Sequence, residues 1–121
     1  MVTFEIENKT ADKVIYKYYP ENKRERRYGI LSLYLRQHRV EIDLVAEDDF
    51  LRIATAEELN DFRDILNKMR IENGESPLSE EELPIATEDE EWYYYADQAA
   101  KRVLKEVKNG TIPERGTVKW Y

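Results

Sequence analysis

The sequence predicts an α+β domain in which an antiparallel sheet of about five strands carries two helices packed on one face. Three observations predict this fold class. Apolar and polar residues alternate in the first third of the chain, the apolar spacing becomes helical after Phe50, and alternation returns at the end. The predicted order of elements is β-β-β-β-α-α-β.

Four strands are predicted before Phe50, over residues 2–7, 13–19, 28–36 and 39–46, because apolar side chains recur at every second position there. The connections between them are short and polar, which favours antiparallel hairpins. We expect one face of this sheet to be buried and the other to meet water. The water-facing side would carry Lys17, Tyr19 and Tyr34.

The first helix is predicted to begin at Thr55, since Thr55-Ala56-Glu57-Glu58 has the form of a capping box. Asn73-Gly74 supplies its end, because both residues tolerate the left-handed backbone conformation. Between these limits the apolar side chains form one stripe, made of Leu59, Phe62, Ile65, Leu66 and Met69.

The second helix is predicted to begin at Thr87, where Thr87-Glu88-Asp89-Glu90 repeats the capping-box form, and to end at Asn109-Gly110. Its apolar residues keep helical spacing from Trp92 to Val107. Ser79-Glu80-Glu81-Glu82 has the same form and predicts a single helical turn between the two helices. A last strand is predicted over 117–121, and the 121 residues are expected to form a single domain over 1–121.

Composition excludes several classes of protein. The chain has no cysteine, which rules out disulfides, a thiolate nucleophile and cysteine-ligated metal centres. The first residues resemble no signal peptide, and no apolar run approaches the roughly 18 residues of a membrane span. We therefore expect a cytoplasmic protein with no membrane partner and no cofactor.

Short motifs at both ends of the chain show a resemblance. The residues are Lys17-Tyr18-Tyr19-Pro20-Glu21, Gly29-Ile30-Leu31-Ser32, Tyr95-Ala96, and Pro113, Gly116, Val118, Trp120 and Tyr121 near the end. Together they resemble a family of small uncharacterised proteins of Gram-positive bacteria. The resemblance implies a bacterial, cytosolic origin and supplies no activity or catalytic residue.

Charge is distributed unevenly along the chain. Residues 71–100 hold ten carboxylates and no lysine or arginine, whereas the whole chain has a formal charge of −7. The same block contains Trp92-Tyr93-Tyr94-Tyr95. Acids beside aromatic residues suggest a surface for a cationic protein partner. The candidate partner-binding residues are Glu90, Glu91, Tyr93 and Tyr94.

Within that block, helical phase singles out Tyr94. With Trp92 placed at zero and about 100° per residue, Tyr94 falls almost opposite the apolar stripe of the second helix and is predicted to point outward. Two interpretations remain open: Tyr94 contacts a partner, or the loop over 75–86 covers it. The acids at 88–91 also have a structural explanation, because the dipole at the start of a helix stabilises carboxylates.

A basic hairpin tip is predicted between the second and third strands. Its four cations are Lys23, Arg24, Arg26 and Arg27, with Tyr19 and Tyr28 beside them. Phosphate contacts and base stacking would explain this composition, and so would a solvated charged tip. We favour the solvated tip, because the overall negative charge opposes attraction to nucleic acid.

Signatures of catalysis and metal binding are weak. The one histidine, His38, lies between Gln37 and Arg39 in a predicted turn, where it could act as a base or be solvated. The acids Asp43, Glu47, Asp48 and Asp49, and likewise Glu80, Glu81 and Glu82, lack the ligand spacing of a calcium loop. No catalytic residue and no metal ligand is assigned.

From the sequence we favour a non-enzymatic protein-binding or inhibitory module that presents an acidic, aromatic surface to an unidentified partner. Three alternatives remain open: a small carboxylate-dependent enzyme near His38, nucleic-acid contact at the basic hairpin tip, and self-assembly into a homo-oligomer through the oppositely charged regions.

Overall fold

A computed structural model describes residues 1–120 of the chain. The elements follow the order β-β-β-β-β-α-β-α-β, and the chain divides into two compact units. The first unit comprises Met1–Leu51 and Tyr93–Tyr121, and the second is Arg52–Trp92. The α+β class and the five-stranded antiparallel sheet predicted from the sequence are confirmed.

The five-stranded sheet has the order β4-β3-β2-β1-β7. Its strands are β1 (Val2–Lys9), β2 (Lys13–Pro20), β3 (Gly29–Tyr34), β4 (Arg39–Leu44) and β7 (Arg115–Val118). All four pairings are antiparallel, and β1 lies between β2 and β7. The last strand was predicted over 117–121, but β7 ends at Val118. Tyr121 lies outside the described residues.

The core of the first unit lies between this sheet and helix α2 (Tyr94–Lys108). Alternate strand residues point to the helix, as the period-two pattern predicts, and Ala96, Ala99 and Val103 face them. The strands contribute Val2, Phe4, Val14, Tyr16, Tyr18, Leu31 and Leu33 to this core. Tyr19, which was predicted to face water, is buried as well, because Arg24 lies over its ring and Tyr28 packs against it. Small alanines on α2 let the helix approach the sheet closely.

Two short strands that the sequence did not predict form a second sheet. They are β5 (Leu51–Ala54) and β6 (Glu90–Tyr93), which flank helix α1 and the segment that follows it. Because Glu90 to Tyr93 is extended, α2 begins at Tyr94, so the predicted helix start at Thr87 is wrong. Tyr93, at the N-cap position, makes no capping hydrogen bond with its side chain.

Helix α1 (Ala56–Glu72) has the limits that the sequence predicts. The Thr55 hydroxyl accepts a hydrogen bond from the Glu58 amide at 3.1 Å, as in a capping box. Asp89 assists by accepting from the Ala56 amide at 2.8 Å. The helix ends at Asn73, and Gly74 has a φ of +79°. None of the α1 residues, all of them within the described part of the chain, is buried.

Candidate functional site

The second unit concentrates the negative charge of the protein. Arg52–Trp92 contains 13 carboxylates and 4 cations, a formal charge of −9, whereas the rest of the chain carries +2. Nine of the ten carboxylates of the acidic block, all except Asp97, thus lie in a compact structural unit that also includes α1. Glu90 and Glu91, two of the predicted partner-binding residues, are exposed on β6 in this unit.

The apolar stripe predicted for α1 is largely exposed. Phe62 is 65% exposed, Ile65 57% and Met69 54%. These side chains recur at i, i+3 and i+7, so they share one side of the helix. We call them the α1 stripe. A continuous row of large apolar side chains in water is typical of a surface that binds another molecule.

A second side of α1 holds the following segment by side-chain hydrogen bonds to its backbone. We call residues 76–86 the strap, and the four side chains that bind it are Asn60, Arg63, Asn67 and Arg70. They recur at i, i+3, i+7 and i+10, so they form one polar row along the helix. The strap runs antiparallel to the helix: Asn60, the first residue of the row, binds Ala86 at the end of the strap, and Arg70, the last, binds Ser76 at its start.

Two asparagines of this polar row each hold one strap residue by both its backbone groups. Asn60 donates to the carbonyl of Ala86 at 3.0 Å and accepts from the Ala86 amide at 2.8 Å. Asn67 does the same with Leu78, at 3.4 Å and 2.8 Å. Arginine Nε groups add bonds to the carbonyls of Leu83 and Ser76, each at 2.9 Å. The strap is therefore fixed by backbone recognition that does not depend on its side chains.

The predicted turn at Ser79 is present inside the strap. The Ser79 hydroxyl accepts from the Glu82 amide at 3.3 Å, and the Leu83 amide donates to the Ser79 carbonyl at 2.9 Å. This turn projects Glu80, Glu81 and Glu82 into solvent. Those three acids are thus placed by turn capping, the structural explanation that the sequence offered for them.

A groove of about 500 Å³ lies between α1 and the carboxyl-terminal part of the strap. Leu59, Phe62 and Ile85 contribute apolar surface to it, and Glu88, Asp89 and Glu90 form an acidic rim. Arg63, whose Nε binds the Leu83 carbonyl, is the one cation among the described residues that line the groove. Asp89 is already engaged with the start of α1, whereas Glu88 and Glu90 are exposed. The groove therefore combines an apolar floor with a negative edge, a combination that suits a ligand with apolar and cationic groups.

Tyr94 does not point into solvent as the helical phase predicts. It is half-buried, its ring stacks on Phe50 at 4.9 Å, and its hydroxyl accepts a hydrogen bond from Trp120 Nε1 at 2.7 Å. Tyr94 still lies opposite Ala96, Ala99 and Val103 on α2, but Phe50 and Trp120 cover that side of the first helical turn. The prediction that Tyr94 points outward is therefore wrong, whereas the partner contact and cover by the loop over 75–86 both stay predictions.

Tyr93 is also half-buried and packs against the core of the first unit. The predicted binding set is therefore divided: Glu90 and Glu91 lie in the acidic unit, whereas Tyr93 and Tyr94 pack in the other. A role for Tyr93 and Tyr94 in binding stays a prediction. The sequence predicted the apolar stripe of α1 but assigned it no role in binding.

Two of the four cations of the basic hairpin tip pair with neighbouring acids, and a third binds a backbone carbonyl. Arg24 pairs with Glu5 at 2.7 Å and lies over the Tyr19 ring. Arg26 pairs with Asp48 at 2.9 Å, and this hydrogen bond lowers the pKa of the Asp48 carboxyl. The Arg27 guanidinium donates to the Val45 carbonyl at 3.3 Å. These bonds occupy three of the four cations, Lys23 being the fourth, and thereby weaken the case for phosphate binding, which stays a prediction.

The other sequence-derived candidates are dispersed. His38 is exposed in the turn between β3 and β4 with a φ of +50°. Asp43 accepts a hydrogen bond from Ser32, and Asp49 caps α2 by accepting from the amides of Tyr95 and Ala96. Within residues 1–120, no group of three or more histidines and carboxylates is arranged to hold a metal ion.

Comparison with known proteins adds no relative. The sequence matches no protein-family model, and neither curated proteins nor solved structures show significant similarity to it. The resemblance to small Gram-positive proteins therefore stays a prediction. In the part of the chain that the structure describes, no helix has the length and apolar character needed to cross a membrane.

Proposed function

We propose that the protein is a non-enzymatic, cytosolic binding module whose acidic unit attaches to a basic protein surface and occludes it. The observation that supports this function is the coincidence, in one unit of charge −9, of exposed carboxylates with the exposed α1 stripe. Carboxylates would accelerate encounter with a cationic partner, and apolar side chains would supply the area that keeps the complex together.

An inhibitory role agrees with a surface on which carboxylates speed the encounter and apolar side chains hold the complex together. A surface that carries both charge and apolar groups acts by covering its target. The mechanism is electrostatic steering followed by burial of apolar surface, and its association rate should fall as salt screens the charges. Glu90 and Glu91 contribute to the steering because both are exposed at the acidic end of the second unit.

Affinity capture from a native lysate with matched variants tests this function. The test variant carries Glu90→Gln and Glu91→Gln. The control carries Glu25→Gln and Glu114→Gln, which remove the same charge from exposed positions in the first unit. We expect a basic protein to be recovered by the wild type and the control, and to be recovered poorly by the test variant. Recovery of no basic protein, or equal recovery by both variants, would contradict the proposal.

A further inference from the structure

The α1 stripe is bordered by acids on the helix itself. With Phe62 placed at zero on a helical wheel of about 100° per residue, Ile65 and Met69 fall within about 60° of it on one side. Glu58 lies inside that arc, and Asp61 and Glu72 lie at its edge. Lys68 lies beyond Asp61 on the same side, and the other two cations of α1, Arg63 and Arg70, lie on the strap side, where their Nε groups bind strap carbonyls. On the side away from the strap, the stripe is therefore a narrow apolar band bordered mainly by carboxylates. The acidic rim of the groove adds further carboxylates next to Phe62.

We propose that the α1 stripe and the adjoining groove bind a cationic amphipathic helix. This inference rests on the proposed function and specifies its partner. The partner's apolar side chains would pack on Phe62, Ile65 and Met69, and its lysines or arginines would face the acids of α1 and the exposed Glu88 and Glu90. Charge complementarity selects a cationic partner, because a neutral or acidic one would leave these carboxylates desolvated without compensation.

The hydrogen-bonding pattern of α1 favours a helical partner over an extended one. An extended peptide needs donors and acceptors for its backbone, and the row that could provide them already holds the strap through Asn60 and Asn67. A helix satisfies its own backbone groups. The stripe from Phe62 to Met69 also covers about 10 Å along α1, which matches two turns of a partner helix.

A designed peptide provides a defined probe. It contains lysine and leucine in about 18 residues, enough to support a helix, with leucines at i, i+3, i+4 and i+7. A scrambled peptide of the same composition separates amphipathic helix binding from attraction between charges. Fluorescence anisotropy with the labelled peptide should show binding to the full chain, and the scrambled peptide should bind at least about tenfold more weakly. Equal binding of the two peptides would overturn the proposal.

Variants of α1 locate the site. Phe62→Ser and Ile65→Ser should each weaken binding about tenfold or more, because they remove central apolar anchors. The matched control is Ile71→Ser: Ile71 is 58% exposed, like Ile65 at 57%, but lies about 180° from Phe62 on the helical wheel. Binding by the control should change less than about twofold. Circular dichroism of each variant verifies that α1 is retained. Equal losses for Ile65→Ser and Ile71→Ser would contradict the site.

Two further outcomes are informative. If sedimentation velocity shows a wild-type dimer that Phe62→Ser dissociates, a second copy covers the stripe and the helical-partner proposal is wrong. If the peptide fails to bind while lysate capture still depends on Glu90 and Glu91, the acidic binding function stands and the inferred partner class falls. Failure of both experiments removes the function as well.

Discussion

The hydroxyl of Tyr18 donates a hydrogen bond to the carboxylate of Asp49 at 2.8 Å, and thereby connects the centre of the sheet to the start of α2. The same carboxylate accepts from the Tyr95 amide at 2.9 Å and the Ala96 amide at 3.1 Å. The Tyr18 oxygen in turn accepts from the Ala46 amide at 3.0 Å. Burial raises the pKa of Tyr18, so its phenol stays protonated and able to donate.

Replacing Asp49 should destabilise the first unit. Asp49→Ala removes the cap of α2 and leaves the Tyr18 hydroxyl without its acceptor, so we expect the free energy of unfolding to fall by about 2–3 kcal/mol. Urea denaturation followed by tryptophan fluorescence measures the change. Asp61→Ala, an exposed position on α1, serves as control and should alter stability by less than about 0.5 kcal/mol. Equal effects of the two substitutions would show that Asp49 is not an important cap.

Gly29 is required by the Tyr18 ring. A Cβ at position 29 would lie 2.0 Å from Tyr18 Cε1, so Gly29→Ala must displace a fully buried aromatic side chain. We expect a loss of about 3 kcal/mol in thermal or urea unfolding. Gly110→Ala is the comparison, because nothing lies within 4 Å of its Cβ although its φ is +89°. It should cost about 1–2 kcal/mol through backbone strain alone, and a larger loss than that of Gly29→Ala would contradict the steric argument.

The pair of Arg26 and Asp48 should give the protein a dependence on acidic pH. The Arg26 hydrogen bond lowers the pKa of Asp48 in the folded state, so the carboxylate stabilises the fold above its ordinary pKa of about 3.9. This contribution is lost as pH falls through the lowered folded value. Arg26→Gln should raise the Asp48 pKa toward the ordinary value, as measured by NMR titration of its side-chain carboxyl.

A control for this titration is Arg39→Gln, which removes a cation that pairs with Glu41 at 3.0 Å on β4. The Asp48 pKa should be unchanged in that variant. A shift of the Asp48 pKa in both variants would indicate a general effect of net charge and not the specific hydrogen bond.

The asparagines of α1 should hold the strap without supporting the other unit. Asn60→Ala with Asn67→Ala removes four backbone hydrogen bonds, so amide exchange over residues 76–86 should accelerate by about tenfold or more. Hydrogen exchange with mass spectrometry measures this change, and peptides from β1 to β3 serve as internal reference. Asp61→Ala, an exposed substitution on the same helix, should leave strap exchange unaltered. Unchanged exchange in the double variant would mean that the clamps are unimportant.

Strands β1 to β4 were predictable because each combines period-two alternation with a short connection. The limits of α1 were predictable because the residues that cap it are adjacent in sequence. The start of α2 could not be predicted, because the residue that caps it, Asp49, is distant in sequence. Thr87 and Glu90 have the spacing of a capping box, but no helix begins there. The strands β5 and β6 have four residues each, too few for alternation to be distinguished from chance.

The negative charge of the candidate site could be predicted from the sequence, but the exposure of its apolar side chains could not. The carboxylates of 71–100 indicated an acidic surface, and Glu90 and Glu91 are exposed as part of it. The stripe of α1 was recognised as apolar, but periodicity alone does not show whether such a stripe is covered. The exposure of Tyr94 was predicted wrongly because helical phase gives the side of the helix on which it lies, but not that Phe50 and Trp120, distant in sequence, cover that side.

The pairing of β1 with β7 has a consequence for the order of folding. Val2 lies opposite Val118, so closing this side of the sheet brings together strands from the two ends of the described chain. Such non-local pairing is slow, because a long loop must close before its contacts form. During synthesis on a ribosome, β1 to β4 can form hairpins early, while one edge of β1 stays open until β7 emerges. Until β7 pairs with it, the unpaired edge of β1 can pair with another chain, so the nascent chain is exposed to aggregation at this stage.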